Sequence, residues 1–408
     1  MRNPTGLSIL ALALVTPVAM ANDNENDLAR VRVPALQGGT SVNWTLGKGI
    51  TFSNGDNKAV LGAWAKQEYR YVGGDVLANK SDFRIREGRI GFDVNVGEDT
   101  KVKLWIDSGN AVSVKDAWVQ QKVWANDQMR IDARFGQQKP MFGREGTGST
   151  TKRLFPEVSV SGGTFSSSKR TRGINGILSA MDNQLHVWVG AHNITVAGGT
   201  NFAGNAEDAA NPDKELNYQI GFSYDSDNKG GMSRLGFAQG DLARSEDLRW
   251  SVGGGLWIEN ESTGVAAQGM IFNLNAAVKS NGFSGMVDFY LRNAEIDGTS
   301  SADASAMGIT VQGTYLFEGN WVAGARYSWV NIDDDTGVNS AISLTTPSYG
   351  GTSLTANGDA TEITIMGGKL LKGHAHKVLA DFTFQTVDPD SGTSFDNIIF
   401  RIQHFIRL

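Results

Sequence analysis

Leu216-Asn217-Tyr218-Gln219-Ile220-Gly221-Phe222-Ser223-Tyr224-Asp225 alternates apolar with small or polar side chains without a break. Successive side chains of a β-strand leave on opposite sides, so one face of this segment is apolar and the other wet. The rhythm returns at Met129, Ile131, Ala133 and Phe135 against Arg130, Asp132, Arg134 and Gly136. It returns again at Met270, Phe272, Leu274, Ala276 and Val278 against Asn273, Asn275 and Lys279. From about Lys58 to Leu408 such runs recur, separated alternately by tight turns and longer polar loops. That pattern predicts an all-β chain folded as an antiparallel transmembrane β-barrel, each strand turning one face to lipid and the other to an aqueous lumen.

A soluble sandwich alternates too, and the first residues decide between the two. Arg2 precedes an apolar stretch from Leu7 to Val15, and Ala19-Met20-Ala21 supplies the small residues a signal peptidase requires, so 1–21 reads as a signal peptide and the mature chain starts near Asn22. No later stretch approaches the roughly 20 continuous apolar residues of a membrane helix. A closed barrel is then the way to span a bilayer with every backbone group paired, and in a bacterium this means the outer membrane. Residues 22–57, with Ser41–Trp44 and Gly49–Phe52, read as a periplasmic or plug-like N-terminal segment with room for a short hairpin, and 58–408 as the barrel. Absence of cysteine excludes disulfide frameworks and thiolate metal sites. The formal charge of -6 becomes -7 when Arg2 leaves with the signal peptide, so overall charge does not mark a protein that seeks anions.

Period-2 alternation gives sixteen strands, at 58–72, 81–96, 100–108, 112–124, 128–138, 171–180, 183–193, 215–226, 231–241, 268–280, 283–295, 305–318, 320–332, 359–372, 375–387 and 394–408. Their connections alternate between tight turns such as Gly97-Glu98-Asp99 and Asn281-Gly282, and a set that includes every long one: 139–170, 194–214, 242–267 and 333–358. Short periplasmic turns facing longer external loops are what an outer-membrane barrel requires. Trp250, Val252, Leu256 and Ile258 also alternate, but an extra strand here would reverse the order of turns and loops, which assigns them to the fifth external loop. Trp321 and Trp329 lie on one side of one strand, spaced to place an indole in each interfacial girdle. The alternation from Phe400 to Leu408 resembles the C-terminal assembly signal of outer-membrane barrels, with Leu408 replacing the usual terminal aromatic and His404 interrupting the apolar set.

Sixteen strands enclose water rather than a packed core, so function depends on what narrows and charges the lumen. The third external loop is the candidate. It carries Lys139, Arg144, Lys152, Arg153, Lys169 and Arg170, with Arg172 just beyond, against Glu145 and Glu157. Folded inward, it would constrict the pore and place these cations where low-dielectric walls focus their field on anions. Left outside, the same residues would be solvated or would pair with lipopolysaccharide phosphates. Arg130 and Arg134, flanking Asp132, are the leading wall candidates, followed by Lys101 and Lys103. The external loops 194–214 and 333–358 are acidic, which reconciles a negative protein with a positive pore.

Three stretches carry a resemblance: Phe83-Arg84-Ile85-Arg86-Glu87-Gly88-Arg89-Ile90-Gly91, Val112-Ser113-Val114-Lys115-Asp116-Ala117-Trp118-Val119, and Phe135-Gly136-Gln137-Gln138-Lys139-Pro140-Met141-Phe142-Gly143. With Leu154–Glu157 and Arg170–Gly173, they make the first half of the barrel similar to the phosphate-selective porins O and P. The second half matches only in rhythm. The resemblance implies a trimeric, anion-passing diffusion channel lined by Arg and Lys, with Lys115 and Lys139 among the lining residues. Small anions, phosphate among them, would be its solutes, and outer-membrane lipid and lipopolysaccharide its surroundings.

Other readings carry less. A general or sugar-passing porin is the main rival, with Trp188, Trp257 and Tyr290 as lumenal platforms for sugars. An enzymatic barrel needs an acid–base or nucleophile set, and His186, His192, His374, His376 and His404 sit in no recognisable Ser/His/Asp motif. His374-Ala375-His376 offers two imidazoles without a third ligand. Gly143–Lys152 lacks the strand–loop–helix context of a phosphate-binding loop, and Asp333–Gly337 lacks calcium-loop spacing. No cofactor, resident metal or nucleic-acid partner is expected.

Overall fold

The computed structural model describes residues 32–36, 39–74, 80–109, 112–165, 170–193, 216–227, 237–260, 266–297, 302–334, 344–345, 353–354, 358–390 and 393–408. The expected signal peptide, Lys169, loop 194–214 and the acidic run beyond Asp334 lie outside these residues.

The barrel strands are β1 (Asn57–Gly74), β2 (Lys80–Val96), β3 (Thr100–Asp107), β4 (Ser113–Ala125), β5 (Met129–Gln138), β6 (Thr171–Ala180), β7 (Leu185–Asn193) and β8 (Leu216–Asp225). They continue with β9 (Arg249–Glu259), β10 (Ala266–Ser280), β11 (Phe283–Asp297), β12 (Ala302–Leu316), β13 (Trp321–Asp334), β14 (Gly358–His374), β15 (His376–Pro389) and β16 (Phe395–Arg407). Each pairs antiparallel with the next, and β16 pairs with β1 from Asn397↔Gly74 to Arg407↔Trp64, closing the sheet. Closure removes the edges that lipid could not satisfy.

In β8 the sequence pattern becomes orientation. Tyr218, Ile220 and Phe222 are exposed on the outer surface, while Asn217, Gln219, Ser223 and Asp225 are buried on the lumen side. Trp321 and Trp329 share the outer face of β13, and the Trp329 indole donates to Asp359 Oδ1 at 3.0 Å. An apolar outer belt on a closed barrel belongs in the outer membrane. The tight turn between β10 and β11 places Asn281 and Gly282 at φ 49° and 87°, the positive values that a two-residue hairpin needs. Strands 40–45 and 49–54 form an N-terminal hairpin at this short-turn end. The second of them pairs with the start of β1 from Ile50↔Leu61 to Asn54↔Asn57, and Gly47 N donates to Arg407 O at 3.1 Å.

One strand assignment is overturned. The ninth strand is 249–259; of the expected 231–241, residues 231–236 lie outside the described residues and 237–241 form no strand. It runs in continuous register with β8 (Tyr218↔Ile258 to Asp225↔Ser251) and with β10 (Arg249↔Lys279 to Glu259↔Gly269). Its outer side carries Trp250, Val252, Leu256 and Ile258, the residues assigned above to an external loop. Residues 237–241 instead belong to a long connection at the short-turn end. The strand count survives because one segment replaces the other. The assumption that every connection at that end is tight does not.

Candidate permeation site

The loop between β5 and β6 packs against inward-facing wall residues along most of its length. Past Lys139, Met141 joins Ile177 and Trp188, and Phe142 lies 6.3 Å from both Trp257 and Tyr290, ring centre to ring centre. The backbone N–H groups of Arg144 and Glu145 donate to Asp288 Oδ2 on β11 at 2.8 and 3.1 Å. That wall carboxylate thus satisfies donors that the first turn of the short helix 144–147 leaves open. Arg144 reaches Asn275 Oδ1 and Ser251 Oγ at 2.9 and 2.8 Å. Farther along, Ser161 N donates to Ser328 Oγ, and the Phe165 ring stacks on Tyr290 at 5.3 Å.

Both acidic side chains of the loop meet wall arginines. Arg326 of β13 donates to Glu145 Oε1 (3.3 Å), to the Glu157 carbonyl (2.8 Å) and to Glu362 Oε1 (2.8 Å), in an ion-pair group that is 0% exposed. Arg86 of β2 holds the Glu157 carboxylate through both oxygens at 2.6 and 3.2 Å. Burial alone would raise the Glu157 pKa, but the coulombic pull of Arg86, aided by Lys66, outweighs it and holds the carboxyl at about 2. Lys377 of β15 donates to the carbonyls of Thr151 and Arg153 at 2.9 and 2.5 Å.

Lys139, Arg153 and Arg170 of the loop lie toward β2–β5. Lys139 Nζ donates to the carbonyls of Gly146 and Gly148, and Arg153 Nη2 to that of Glu145. Arg170 pairs with Asp116 at 3.3 Å. Burial pushes the Lys139 ammonium well below its ordinary pKa, and Arg170, Arg153 and Arg89 push it further, which places three guanidinium groups within its electrostatic reach. Burial likewise lowers Arg153 and Arg170. On the wall, Arg89 bridges Glu87 and Asp107, and Lys115 lies 3.9 Å from Asp107. Here Arg86, Arg89, Lys115, Lys139, Arg153 and Arg170 outnumber Glu87, Asp107, Asp116 and Glu157. Toward the short turns, Lys103 pairs with Asp93 at 2.7 Å, and Arg134 lies over Trp118 at 4.6 Å with Gln120 accepting from it. Lys101 and Arg130 line a rim cavity of about 400 Å³ with Ser53, Asp56 and Glu98, and Arg130 is paired with Asp132.

The sequence-derived set therefore divides. Lys103, Lys115, Arg134, Lys139, Arg153 and Arg170 come together along one side of the lumen, and Lys101 and Arg130 sit at its rim. Lys152 presents its carbonyl to Gln239 N at 3.0 Å. Arg144 is fully buried against the wall. Arg172 does not join the lumenal set: it alternates with the lumen-side Thr171 and shares the outer face with the exposed Ile174. Arg84 and Arg86 were missed because a bulge opposite Lys66 and Gln67 shifts the strand's phase. The signal is present in the sequence: the apolar set moves from odd positions (Phe83, Ile85) to even ones (Ile90, Phe92) between the start of that motif and the residue that follows it.

The rival sites are placed too. Trp188, Trp257 and Tyr290 do face inward, but they are buried, Tyr290 at 0% exposure beneath Phe142 and Phe165, and so present no platform to a sugar. His374 and His376 stand on either side of a turn, and His376 instead meets His404, Nε2 to Nε2, at 3.0 Å. His186 contacts Ser179 Oγ at 3.0 Å, with no carboxylate hydrogen-bonded to its ring among the described residues.

No protein-family profile matches the sequence, and no curated protein does. Solved structures do match. The outer membrane channel DcaP of Acinetobacter baumannii superposes with a TM-score of 0.57 at 13% identity, covering 87% of this chain and 99% of that one. OmpT, an outer membrane protein of Vibrio cholerae, gives 0.55 at 11% identity over 86% and 98%. An anion-selective porin from Comamonas acidovorans gives 0.54 at 12% identity over 86% and 100%. The chain has the porin fold. At these identities the likeness concerns architecture, and the solute must be argued from the lumen of this chain.

Proposed function

We propose that the protein is an outer-membrane diffusion channel for small anions, with its constriction between the inward-folded loop 139–170 and the wall of β2–β5. One observation carries this reading. Arg326 and Arg86 pair with the loop's two acids, and Lys139, Arg153 and Arg170 lie within electrostatic reach of Arg89 and Lys115, so that cations outnumber the carboxylates Glu87, Asp107 and Asp116 that pair with some of them. Positive charges crowded between low-dielectric walls attract an anion and replace part of its hydration shell with N–H donors. Arg144 is assigned to anchoring the loop rather than lining the path. The burial of Trp188, Trp257 and Tyr290 weighs against the sugar-passing alternative.

Reversal potential across a planar bilayer under a salt gradient is the test. Anion preference is expected, weakening as ionic strength rises because mobile ions screen charge over about 10 Å at 0.1 M. Lys115→Gln with Arg170→Gln should reduce it, and cation preference in the unaltered protein would end the reading. Phosphate as the favoured solute is a narrower proposal, supported by the sequence resemblance. It requires phosphate to block chloride current at concentrations where sulfate does not. The same resemblance supports a homotrimer, tested by crosslinking; Arg2, the apolar stretch Leu7 to Val15 and Ala19-Met20-Ala21 support export through a leader ending at Ala21, tested by sequencing the mature N-terminus.

A further inference from the structure

The β8–β9 connection lies at the end of the barrel where the other described turns are tight, and its described part, 237–248, does not stay at the rim. Phe237 is buried with Ala277 and Met286, and the Arg144 and Lys279 cations lie 5.0 and 5.2 Å from its ring. Lys279 Nζ donates to the Ala238 carbonyl at 2.5 Å. Asp241 ties the segment back to the rim by accepting from Ser245 N and Gly282 N, both at 3.0 Å. At the crest, Gln239 meets the tip of the β5–β6 loop. Its backbone N donates to the Lys152 carbonyl at 3.0 Å, and its side-chain Oε1 accepts from Leu154 N at 2.6 Å and Phe155 N at 3.2 Å.

We infer that Gln239 is a positioning residue that latches the loop tip from the short-turn end, so that the width of the path is set by two chain segments meeting inside the barrel. The tip has no sheet or helix partner for residues 153–155, and buried backbone groups must be paired somewhere. Lys377 takes the carbonyls of Thr151 and Arg153, while Gln239 takes the Lys152 carbonyl and the N–H groups of Leu154 and Phe155. Wall and insert together therefore satisfy the peptide groups that the turn at 149–153 leaves open, the segment itself pairing only Lys152 N with Ser149 O and Arg153 N with Thr150 O. The inference rests on the loop narrowing the channel, as proposed above, but not on which ion passes.

Single-channel recording of Gln239→Ala and Gln239→Glu tests it. The alanine variant leaves two buried N–H groups without an acceptor. Excursions to a larger conductance should become at least about tenfold more frequent, equivalent to about 1.4 kcal/mol. The glutamate variant keeps an acceptor oxygen at the same reach and should retain the steady level of the unaltered protein. Only inserted channels are recorded, so an unfolded fraction does not enter the result. A steady, unchanged conductance in Gln239→Ala would overturn the latch, as would equal disturbance in both variants. Reversal potentials from the same membranes separate this outcome from failure of the anion reading, because the latch predicts a change in conductance level whatever the ion preference.

Discussion

Replacing Arg86 by Gln should release the loop tip from a barrel that remains folded. Glu157 is 4% exposed, and Arg86 holds both of its carboxylate oxygens. A carboxyl held at about 2 rather than 4.5 contributes about 3 kcal/mol at neutral pH. The sign follows from the lowered folded-state value: the contribution is complete above pH 4.5 and is lost as pH falls through about 2. In Arg86→Gln the buried charge loses its main partner already at pH 7, and about 3 kcal/mol corresponds to roughly a hundredfold rise in the released population. Trypsin reads this directly. Lys152 and Arg153 precede Leu154, which is buried in the seated loop, and cleavage of a transiently opened segment follows its open population when closing is fast. Cleavage after these residues, in detergent-solubilised protein that still shifts its gel mobility on heating, should accelerate by about two orders of magnitude. Equal cleavage rates in the two proteins would refute the reasoning, as would faster cleavage confined to unfolded barrels.

Gly308→Val should unseat the second half of the loop, because a Cβ there would overlap the Phe165 ring and meet Ser161 Oγ at 2.7 Å. A cost of about 1–3 kcal/mol is expected, seen as a lower heating temperature for the gel-mobility shift and a larger conductance. Lys139 supplies a pH prediction. Its depressed pKa means that it is charged only below that value, so anion preference should fall as pH rises below the ordinary lysine range, and Lys139→Arg, which stays protonated, should abolish this alkaline decline.

Much of the lumen's make-up was legible in the chain because side-chain direction in a strand is local geometry. Lys66, Arg326, Lys377 and Arg401 lie on the buried, lumen side as period 2 requires. Legibility failed at bulges, where a single extra residue near Arg86 reverses every later position and only a change in the parity of the apolar residues gives warning. It also failed at the ninth strand, where turn length and side-chain pattern point to different segments. Neither face of 231–241 is cleanly apolar, whereas 249–259 carries Trp250, Val252, Leu256 and Ile258 on one side.

By itself, the sequence determined a two-faced, sixteen-stranded sheet with a cation-rich third loop, since alternation, turn residues and charge all act over a few positions. Where that loop's charges reside was decided only by tertiary structure. The partners that draw Glu145 and Glu157 inward are Arg326 and Arg86, distant along the chain, and the groups that satisfy the loop tip come from Lys377 and Gln239. Closure of the barrel brings these residues into one lumen. A buried charge or peptide group must then take the partner that space provides, whatever its separation in sequence.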